Sequence, residues 1–290
     1  MPAEKINFEK VAVIAHPQLD EAAQEAVQVA AYLKLQGISS SQGYLQDEIL
    51  CAGIKNKEYD LIIALGGDGT MLRAGHLGGQ AGIPILGINL GRFGFLTEVN
   101  QDQWRNVLPE IIAGRFWIER RMMLSAEHWR AETLLGKWEV LNEIVVSRGQ
   151  FVRPVHLAAE VDGRYLTTYV ADGLIAATAT GSTAYALAAG GPILHPELRN
   201  ILLVAVAPHL SVDRAIVLAE GSKVSIRILT DHHAVLSPDG QLPINLLDGD
   251  RVDAFAGEHS VQFIRNQDPG YFYRNLTPHM SKNPSTGNQR

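Results

Sequence analysis

A glycine-rich turn between a short apolar run and a helix-forming run is the feature that most limits how this chain can fold. Residues 59–64 are mostly apolar and β-prone, which predicts a buried strand. Gly66, Gly67 and Gly69 then break the pattern, and helix-forming residues resume at Met71. The chain is therefore expected to leave a strand through a tight turn and to enter a helix directly.

This turn is typical of a phosphate site, because the first N–H groups of a helix lack helical partners and lie at the positive end of its dipole. A simple phosphate cradle would exclude an anion, so Asp68 is expected to bind a hydroxyl or a metal beside the phosphates. The combination indicates phosphoryl transfer. An ordinary tight turn is the alternative, since glycine and aspartate both suit turn positions. The glycine spacing matches neither the P-loop nor the dinucleotide fingerprint.

Composition narrows the class of partner. A chain of 290 residues suits one large or two medium domains. The net charge of −6 and the lack of a basic block argue against a nucleic-acid partner. Cys51 is the only cysteine, which excludes an internal disulfide and fits a reducing compartment. The first residues lack an apolar signal core, and no apolar run reaches about 18 residues, so a cytoplasmic protein with no membrane partner is expected.

The pattern of elements changes along the chain. The first third alternates strands and helices, which favours a parallel sheet, and later residues form short β-rich runs separated by turns. The expected fold class is α/β plus all-β, with an N-terminal Rossmann-like parallel sheet and a C-terminal antiparallel β-sandwich. The expected domains are residues 1–115, which carry the glycine-rich turn, and residues 116–265. Residues 266–290 form a tail that can pack back on the first domain, and its end, 281–290, is expected to be disordered.

The individual elements follow from periodicity and turn signals. The strands are predicted at residues 10–15, 59–64, 83–89, 139–147, 156–161, 165–170, 174–178, 201–206, 224–229 and 234–237. Helices are predicted at residues 21–36, 102–113 and 182–189 and after the glycine-rich turn. Ser182 or Thr183 can cap the helix at 182–189.

Two further groups of residues have the chemistry of a binding site. Residues 176–185 end a strand in threonine, glycine and serine and open a helix of small residues, where Tyr185 offers a ring for stacking a base. A capped helix that packs its alanines on a sheet is the alternative. Asn142 and Glu143 are a polar pair in an otherwise apolar run, and the alternative is a surface pair on an edge strand.

Together these motifs resemble the NAD kinase family over about residues 10–265. The matching segments stand in the family's order: Gly66-Gly67-Asp68-Gly69-Thr70, Asn89-x-Gly91-x-x-Gly94-Phe95-Leu96, Asn142-Glu143, Asp172-Gly173 and Thr180-Gly181-Ser182-Thr183-Ala184-Tyr185. The first segment is shared with lipid kinases of the diacylglycerol-kinase type, and a similar segment occurs in phosphofructokinases. The Asn-Glu pair and the Gly-Ser-Thr-Ala-Tyr segment make the match specific.

The resemblance implies transfer of the γ-phosphoryl of ATP to the 2′-hydroxyl of the adenosine ribose of NAD, giving NADP. It implies that Mg²⁺ or another divalent cation is bound together with ATP and has no direct protein ligands. It also implies a homodimer or homotetramer. Asp68 is the implied catalytic residue, and the implied phosphate-binding residues are Gly66, Gly67, Gly69 and Thr70. The implied NAD-binding residues are Asp68, Gly69, Arg73, Phe95, Asn142, Glu143, Arg153, Asp172, Thr183, Ala184, Tyr185, Ala186, Leu187, Ala188 and Gln241.

The chain departs from the family pattern at Ala177 and Ala179, where a serine and a proline are common. This change is expected to loosen the turn before the helix. Two alternative functions remain. One is a lipid kinase of the diacylglycerol-kinase type that uses the same Gly-Gly-Asp-Gly-Thr loop, and the other is a catalytically silent NAD-binding sensor. The chain lacks the basic amphipathic helix typical of membrane binding. The presence of Asp68 argues against the sensor.

Overall fold

The computed structural model describes residues 8–91, 94–150, 152–209 and 212–282, and only the backbone of residues 278–282. Arg92 and Phe93 of the second glycine-rich turn, and residues 283–290 of the predicted disordered end, lie outside the described residues. The chain divides into two compact units. The first unit runs to Arg120 and resumes at Val261, and the second is Arg121–Ser260.

The elements of the first 115 residues are β1 (Lys10–Ala15), α1 (Asp20–Leu35), β2 (Ser39–Tyr44), α2 (Glu48–Lys55), β3 (Leu61–Gly66), α3 (Asp68–Ala81), β4 (Ile85–Asn89), β5 (Val99–Asn100) and α4 (Trp104–Ile112). The next elements are β6 (Trp117–Arg130), β7 (Thr133–Val140), β8 (Glu143–Arg148), β9 (Val155–Val161), β10 (Arg164–Ala171) and β11 (Gly173–Ala177). The last are α5 (Tyr185–Ala188), β12 (Ile201–Val206), β13 (Ile216–Leu218), β14 (Val224–Ile228), β15 (Ala234–Pro238), β16 (Ile244–Leu246), β17 (Arg251–Arg265) and α6 (Tyr271–Lys282).

The first unit is built on a parallel sheet with the strand order β2-β1-β3-β4. β4 also pairs in parallel with β5 and, through Ile85, with Phe263 of β17. Every residue of β3 is buried, as expected for a central strand whose two faces are covered. Parallel strands end at one edge of the sheet, so Gly66 and Asn89, which pair at the ends of β3 and β4, lie side by side. Within the described residues, no helix is long and apolar enough to cross a membrane.

The second unit contains two antiparallel arrays of strands. One includes β10, β9, β14 and the first part of β17, and the other has the order β13-β12-β11-β8-β15-β16. Alternate residues of both arrays share one apolar core, in which Leu157 and Ile226 lie with Ile144 and Leu174. The other face of the second array carries Ile175 and is covered by α5. The predicted fold class, a parallel α/β sheet plus an antiparallel sandwich, is confirmed.

The predicted continuous strand at 139–147 is wrong, because the pairing stops at Val140 and resumes at Glu143. The carboxylate of Asp239 accepts hydrogen bonds from the N–H groups of Leu141, Asn142 and Glu143 at 2.7, 2.9 and 2.9 Å. These N–H groups therefore do not enter a strand ladder. Asn142 therefore lies in the break between β7 and β8, and Glu143 is the first residue of β8.

The predicted helix at 182–189 is also wrong in extent. The chain makes one 3₁₀ turn at Gly181–Thr183 and then the single helical turn α5, whose N-terminal flanking residue, Ala184, provides no side-chain cap. The hydroxyls of Ser182 and Thr183 donate to carbonyls three residues earlier, at 2.6 and 3.1 Å. Neither hydroxyl is therefore the predicted helix cap.

Candidate active site

The glycine-rich turn of the first unit connects β3 directly to α3. Gly67 is the N-terminal flanking residue of α3, and Asp68 stands in its first turn. A Cβ on Gly66 would lie 2.3 Å from Thr70 Oγ1, so no larger residue fits there without moving the helix. Thr70 Oγ1 is buried and has no hydrogen-bond partner among the described residues. An unpaired buried hydroxyl is costly, and a ligand oxygen at this turn would give it a partner.

The carboxylate of Asp68 is held by two backbone amides from the segment before β5. Its Oδ2 accepts a hydrogen bond from Phe95 N at 2.8 Å, and its Oδ1 accepts one from Leu96 N at 3.1 Å. Gly94 allows this approach, because a Cβ there would lie 2.0 Å from Asp68 Oδ1. The structure thus brings the backbone of Phe95 to Asp68. Both carboxylate oxygens are oriented, and each keeps a second lone pair for a ligand.

The other residues predicted on α3 differ in their exposure to solvent. Gly69 and Arg73 are exposed, whereas Thr70 is buried. Among the described residues, no group of three or more histidine, cysteine, aspartate or glutamate side chains is arranged to hold a metal ion.

In the second unit, Asp239 organises the segment before β8. Besides its three accepted amide bonds, its own N–H donates to the Glu143 carbonyl at 2.9 Å. Asp239 adopts the left-handed conformation, with φ of 44°, and Gly240 follows with φ of 67°. The turn at Asp239 and Gly240 therefore also clamps Asn142 and Glu143 through the Asp239 side chain.

Glu143 is a buried acid with an unpaired oxygen. Its side chain is 7% exposed, and its Oε2 has no hydrogen-bond partner among the described residues. Burial, together with the nearby charge of Asp239, raises the pKa of Glu143 from its ordinary 4.5 to about 8, against a hydrogen bond from the Tyr185 N–H that lowers it. At neutral pH the carboxyl is therefore largely protonated when no ligand is bound.

This raised pKa predicts a pH-dependent stability difference between the wild type and Glu143→Gln. The stabilising contribution of the protonated carboxyl is complete below about pH 4.5 and is lost as the pH rises through about 8. Glutamine stays neutral throughout. We therefore expect the wild type to lose a few kcal/mol of unfolding free energy relative to Glu143→Gln between about pH 5 and about pH 9. Urea unfolding of both proteins across this range measures the difference.

Glu132→Gln is the control for this titration, because Glu132 is exposed in the same unit. The comparison shows what the loss of a solvent-exposed carboxyl does in this unit. A pH-independent stability difference between the wild type and Glu143→Gln would contradict a buried acid that titrates near pH 8.

The turn after β11 packs directly on Asn142. A Cβ on Gly181 would lie 2.2 Å from the Asn142 carbonyl oxygen, a backbone atom that cannot easily move. Thr178 fixes the same turn, because its Oγ1 donates to the Leu141 carbonyl at 2.5 Å and accepts from Gly181 N at 3.1 Å. Thr180 Oγ1 is buried with no hydrogen-bond partner among the described residues. The turn is therefore closely tied to the segment that carries Glu143.

Beyond this turn, α5 presents a mixed face. Tyr185 and Ala188 are exposed, Ala186 is buried against the sheet, and Thr183, Ala184 and Leu187 are half-buried. The structure thus brings Asn142, Glu143 and the predicted residues 183–185 together in one part of the second unit.

The remaining predicted residues lie elsewhere in this unit. Asp172 precedes β11, at the end of that strand opposite to the Thr178 turn, and its Oδ1 accepts a hydrogen bond from Arg148 Nε at 2.9 Å. Arg153 is exposed. Gln241 is exposed, directly after the turn at Asp239, and its N–H donates to the Pro238 carbonyl. Gln241 follows Asp239 by two residues, and Asp239 binds the Asn142 segment, so Gln241 lies near that segment. Asp172 is separated from the segment by the length of β11.

Three residues that shape these sites were missed as functional in the sequence. They are Gly94, which gives room to Asp68, Asp239, which clamps the start of β8, and Arg148, which pairs with Asp172. Gly94 stands in a segment that matches the family, but no role was assigned to it. Asp239 had only the Pro-Asp-Gly sequence at 238–240 as a local signal, which also fits an ordinary turn. Their partners are distant in the sequence, so spacing alone does not reveal them.

Known families cover both units. The family model for the ATP-NAD kinase N-terminal domain matches residues 50–116, and the model for the ATP-NAD kinase C-terminal domain matches residues 141–266. An NAD kinase of Chloroflexus aurantiacus is 37% identical over 275 residues, which are 95% of this chain and 99% of that protein. This chain belongs to the NAD kinase family. The resemblance predicted from the motifs is confirmed.

Other members of the NAD kinase family agree with this assignment. The NAD kinase of Polaromonas naphthalenivorans is 38% identical over 276 residues, with 92% of this chain and 95% of that protein covered. Among solved structures, an NAD kinase from Archaeoglobus fulgidus in complex with ATP has a TM-score of 0.76 and 26% identity, and covers 94% of this chain and 99% of that chain. Yeast NADH kinase complexed with NADH shares the fold at a TM-score of 0.83 and 24% identity, over 97% of this chain and 89% of that chain.

Proposed function

We propose that this NAD kinase family member transfers the γ-phosphoryl of ATP to the 2′-hydroxyl of the adenosine ribose of NAD, producing NADP. The observation that carries the proposal is the position of Asp68, an oriented carboxylate in the first turn of α3, beside a glycine-rich turn with an unpaired threonine hydroxyl. The ATP named with the Archaeoglobus relative supports ATP as the donor. The matched families favour this activity over the lipid-kinase and sensor hypotheses.

In this proposal Asp68 orients the acceptor hydroxyl and takes its proton late in the reaction. A carboxylate is a far weaker base than a ribose alkoxide, so full removal of the proton before attack is not part of the scheme. Phosphoryl transfer has a loose transition state, and in-line placement of the hydroxyl supplies much of the rate. The two amide bonds to Asp68 hold its free lone pairs in one direction, which suits this task. Gly66, Gly67, Gly69 and Thr70 would receive the phosphates.

The second unit supplies most of the proposed NAD-binding residues. Glu143 Oε2 and Thr180 Oγ1 are buried groups without partners among the described residues, which is what a ribose or amide ligand would satisfy. Tyr185 is exposed and available to stack against adenine, beside Thr183 and Ala184. Asp172, at the other end of β11, is proposed to face the nicotinamide half of the extended dinucleotide. The proposed NAD-binding set is completed by Asn142, Arg153, Gln241 and residues 186–188 of α5, together with Arg73 and Phe95.

Several finer points belong to the same proposal. A divalent cation, Mg²⁺ by preference, would come with ATP and offset the phosphate charge during transfer. The protein would work in the cytoplasm, and its oligomeric state would be the homodimer or homotetramer that the family resemblance implies. The functional division is proposed as residues 1–115, 116–265 and 266–290.

A coupled assay tests the activity. The purified full chain is mixed with NAD, ATP and Mg²⁺, and NADP is followed through an NADP-specific dehydrogenase. We expect NADP to form in proportion to the ATP consumed. If the protein binds NAD without producing NADP, the sensor hypothesis replaces the kinase. Phosphorylation of diacylglycerol in vesicles without NAD binding would support the lipid kinase.

A further inference from the structure

A buried ionic cluster lies within the first unit. Arg265, the last residue of β17, is 1% exposed, and its Nε and Nη2 donate to Glu119 Oε1 at 3.2 and 2.8 Å. The other oxygen of Glu119 accepts a hydrogen bond from the Tyr271 hydroxyl at 2.8 Å. Glu98 Oε2 lies 3.8 Å from Arg265 Nε. Burying such charges costs several kcal/mol each unless their geometry is well satisfied, so this cluster constrains the chain around it.

The cluster reaches the backbone that holds Asp68. Arg265 Nη1 donates to the Leu96 carbonyl at 3.1 Å, and the N–H of the same Leu96 donates to Asp68 Oδ1 at 3.1 Å. Phe95, the preceding residue, donates its N–H to Asp68 Oδ2 at 2.8 Å. A single buried residue, Leu96, therefore connects the guanidinium on one side with the proposed catalytic carboxylate on the other.

We propose that Arg265 is a positioning residue for phosphoryl transfer, because its bond to the Leu96 carbonyl keeps the Phe95 and Leu96 amides on the Asp68 carboxylate. The inference rests on the proposed function, in which Asp68 orients the acceptor hydroxyl. Arg265 touches neither substrate nor the reacting atoms in this scheme. It acts through the peptide segment that it holds.

Arginine suits this position better than lysine. Three of its nitrogens are used at once, two toward Glu119 and one toward Leu96, in the planar arrangement of a guanidinium. A lysine ammonium at 265 keeps the positive charge beside Glu119 but cannot span both partners. Arg265→Lys therefore keeps the positive charge at this position but removes the hydrogen bond to the Leu96 carbonyl.

The experiment compares Arg265→Lys with the wild type in the full chain. We expect kcat for NADP formation to fall at least about 10-fold while the KM for NAD changes little, because placement is lost and not binding. Amide hydrogen exchange supplies the second measurement. The Phe95 and Leu96 amides should exchange at least about 10-fold faster in the variant, while the amides of β1 keep their rates.

Tyr271→Phe is the matched control, since it removes one hydroxyl from the same cluster and leaves the bond from Arg265 to Leu96 in place. It should lower the Tm without changing the exchange of Phe95 and Leu96 or the value of kcat. If Arg265→Lys folds poorly, Glu119→Gln replaces it: this variant weakens the anchor of Arg265, and we expect a smaller change in the same direction.

Two results would overturn the proposal. One is unchanged exchange of the Phe95 and Leu96 amides in Arg265→Lys. The other is a loss of kcat that follows the loss of Tm equally in Arg265→Lys and Tyr271→Phe, which indicates a purely structural role. Failure of the proposed function is a separate outcome, because the wild type would then make no NADP, whereas the exchange measurement needs no activity.

Discussion

Asp68→Asn is expected to lower kcat for NADP formation by about 10³-fold while the Kd of NAD stays within a small factor of the wild type. The amide side chain cannot accept the proton of the 2′-hydroxyl, and it presents the hydroxyl with one acceptor oxygen instead of two. The coupled NADP assay gives kcat. Calorimetric titration with NAD gives the Kd, so that loss of chemistry is separated from loss of binding.

The structure adds a second expectation for this variant. Both oxygens of Asp68 accept backbone N–H groups, so an asparagine must place its NH₂ group against either Phe95 N–H or Leu96 N–H. Leaving such donors unpaired costs about 1–3 kcal/mol, and we expect the Tm to fall accordingly. The effect on kcat should far exceed the few-fold change that this loss of stability would produce in an otherwise intact site.

Asp60→Asn is the control for removing a backbone-bound carboxylate in the same unit. Asp60 Oδ2 alone accepts from Glu9 N and Lys10 N at 2.8 and 2.9 Å, so the single oxygen of an asparagine can keep both bonds. This variant should retain wild-type turnover. Near-normal turnover in Asp68→Asn would reject the catalytic role of Asp68.

Gly94→Ala is expected to lower kcat by about 100-fold, because the added methyl group displaces the Asp68 carboxylate, although Asp68 itself is unchanged. The new Cβ would stand 2.0 Å from Asp68 Oδ1 and 2.3 Å from Asp68 Cγ, far inside any tolerated contact. Either the Phe95–Leu96 segment moves away or the Asp68 side chain rotates. Both responses break the two amide bonds that orient the carboxylate.

Gly91→Ala is the matched control in the same segment, because a Cβ at Gly91 meets no atom within 4 Å. We expect its kcat and Tm to stay close to those of the wild type. Amide exchange at Phe95 and Leu96 should rise in Gly94→Ala alone. Equal kcat values for the two alanine variants would show that the close approach of Gly94 to Asp68 has no part in turnover.

Local patterns were sufficient for the elements with strong apolar periodicity. The strand predicted at residues 10–15 coincides with β1, and the turn from β3 into α3 lies where the glycines interrupt the pattern. The strand at residues 201–206 coincides with β12. In these segments neighbouring residues alone distinguish strand, turn and helix, since burial of both faces requires a continuous apolar run.

Elements without such a pattern were not predicted. β2 has the sequence Ser-Ser-Ser-Gln-Gly-Tyr and is a strand because it pairs along its whole length with β1. β6 and β17 are long strands with charged residues at buried positions, among them Glu119 and Arg265. Their charges are compensated by partners far away in the chain, so local hydrophobicity gives no signal for them.

The sequence by itself determined the fold class, the family and the presence of Asp68 in a strand–turn–helix motif, because each rests on patterns within short segments and on the order of those segments along the chain. Only the tertiary structure decided what holds that motif in place. Asp68 meets Phe95 across 27 residues, Asp239 meets Asn142 across 97, and Arg265 meets Leu96 across 169. These hydrogen bonds depend on which strands become neighbours, and that follows from the packing of the whole core and not from local propensity.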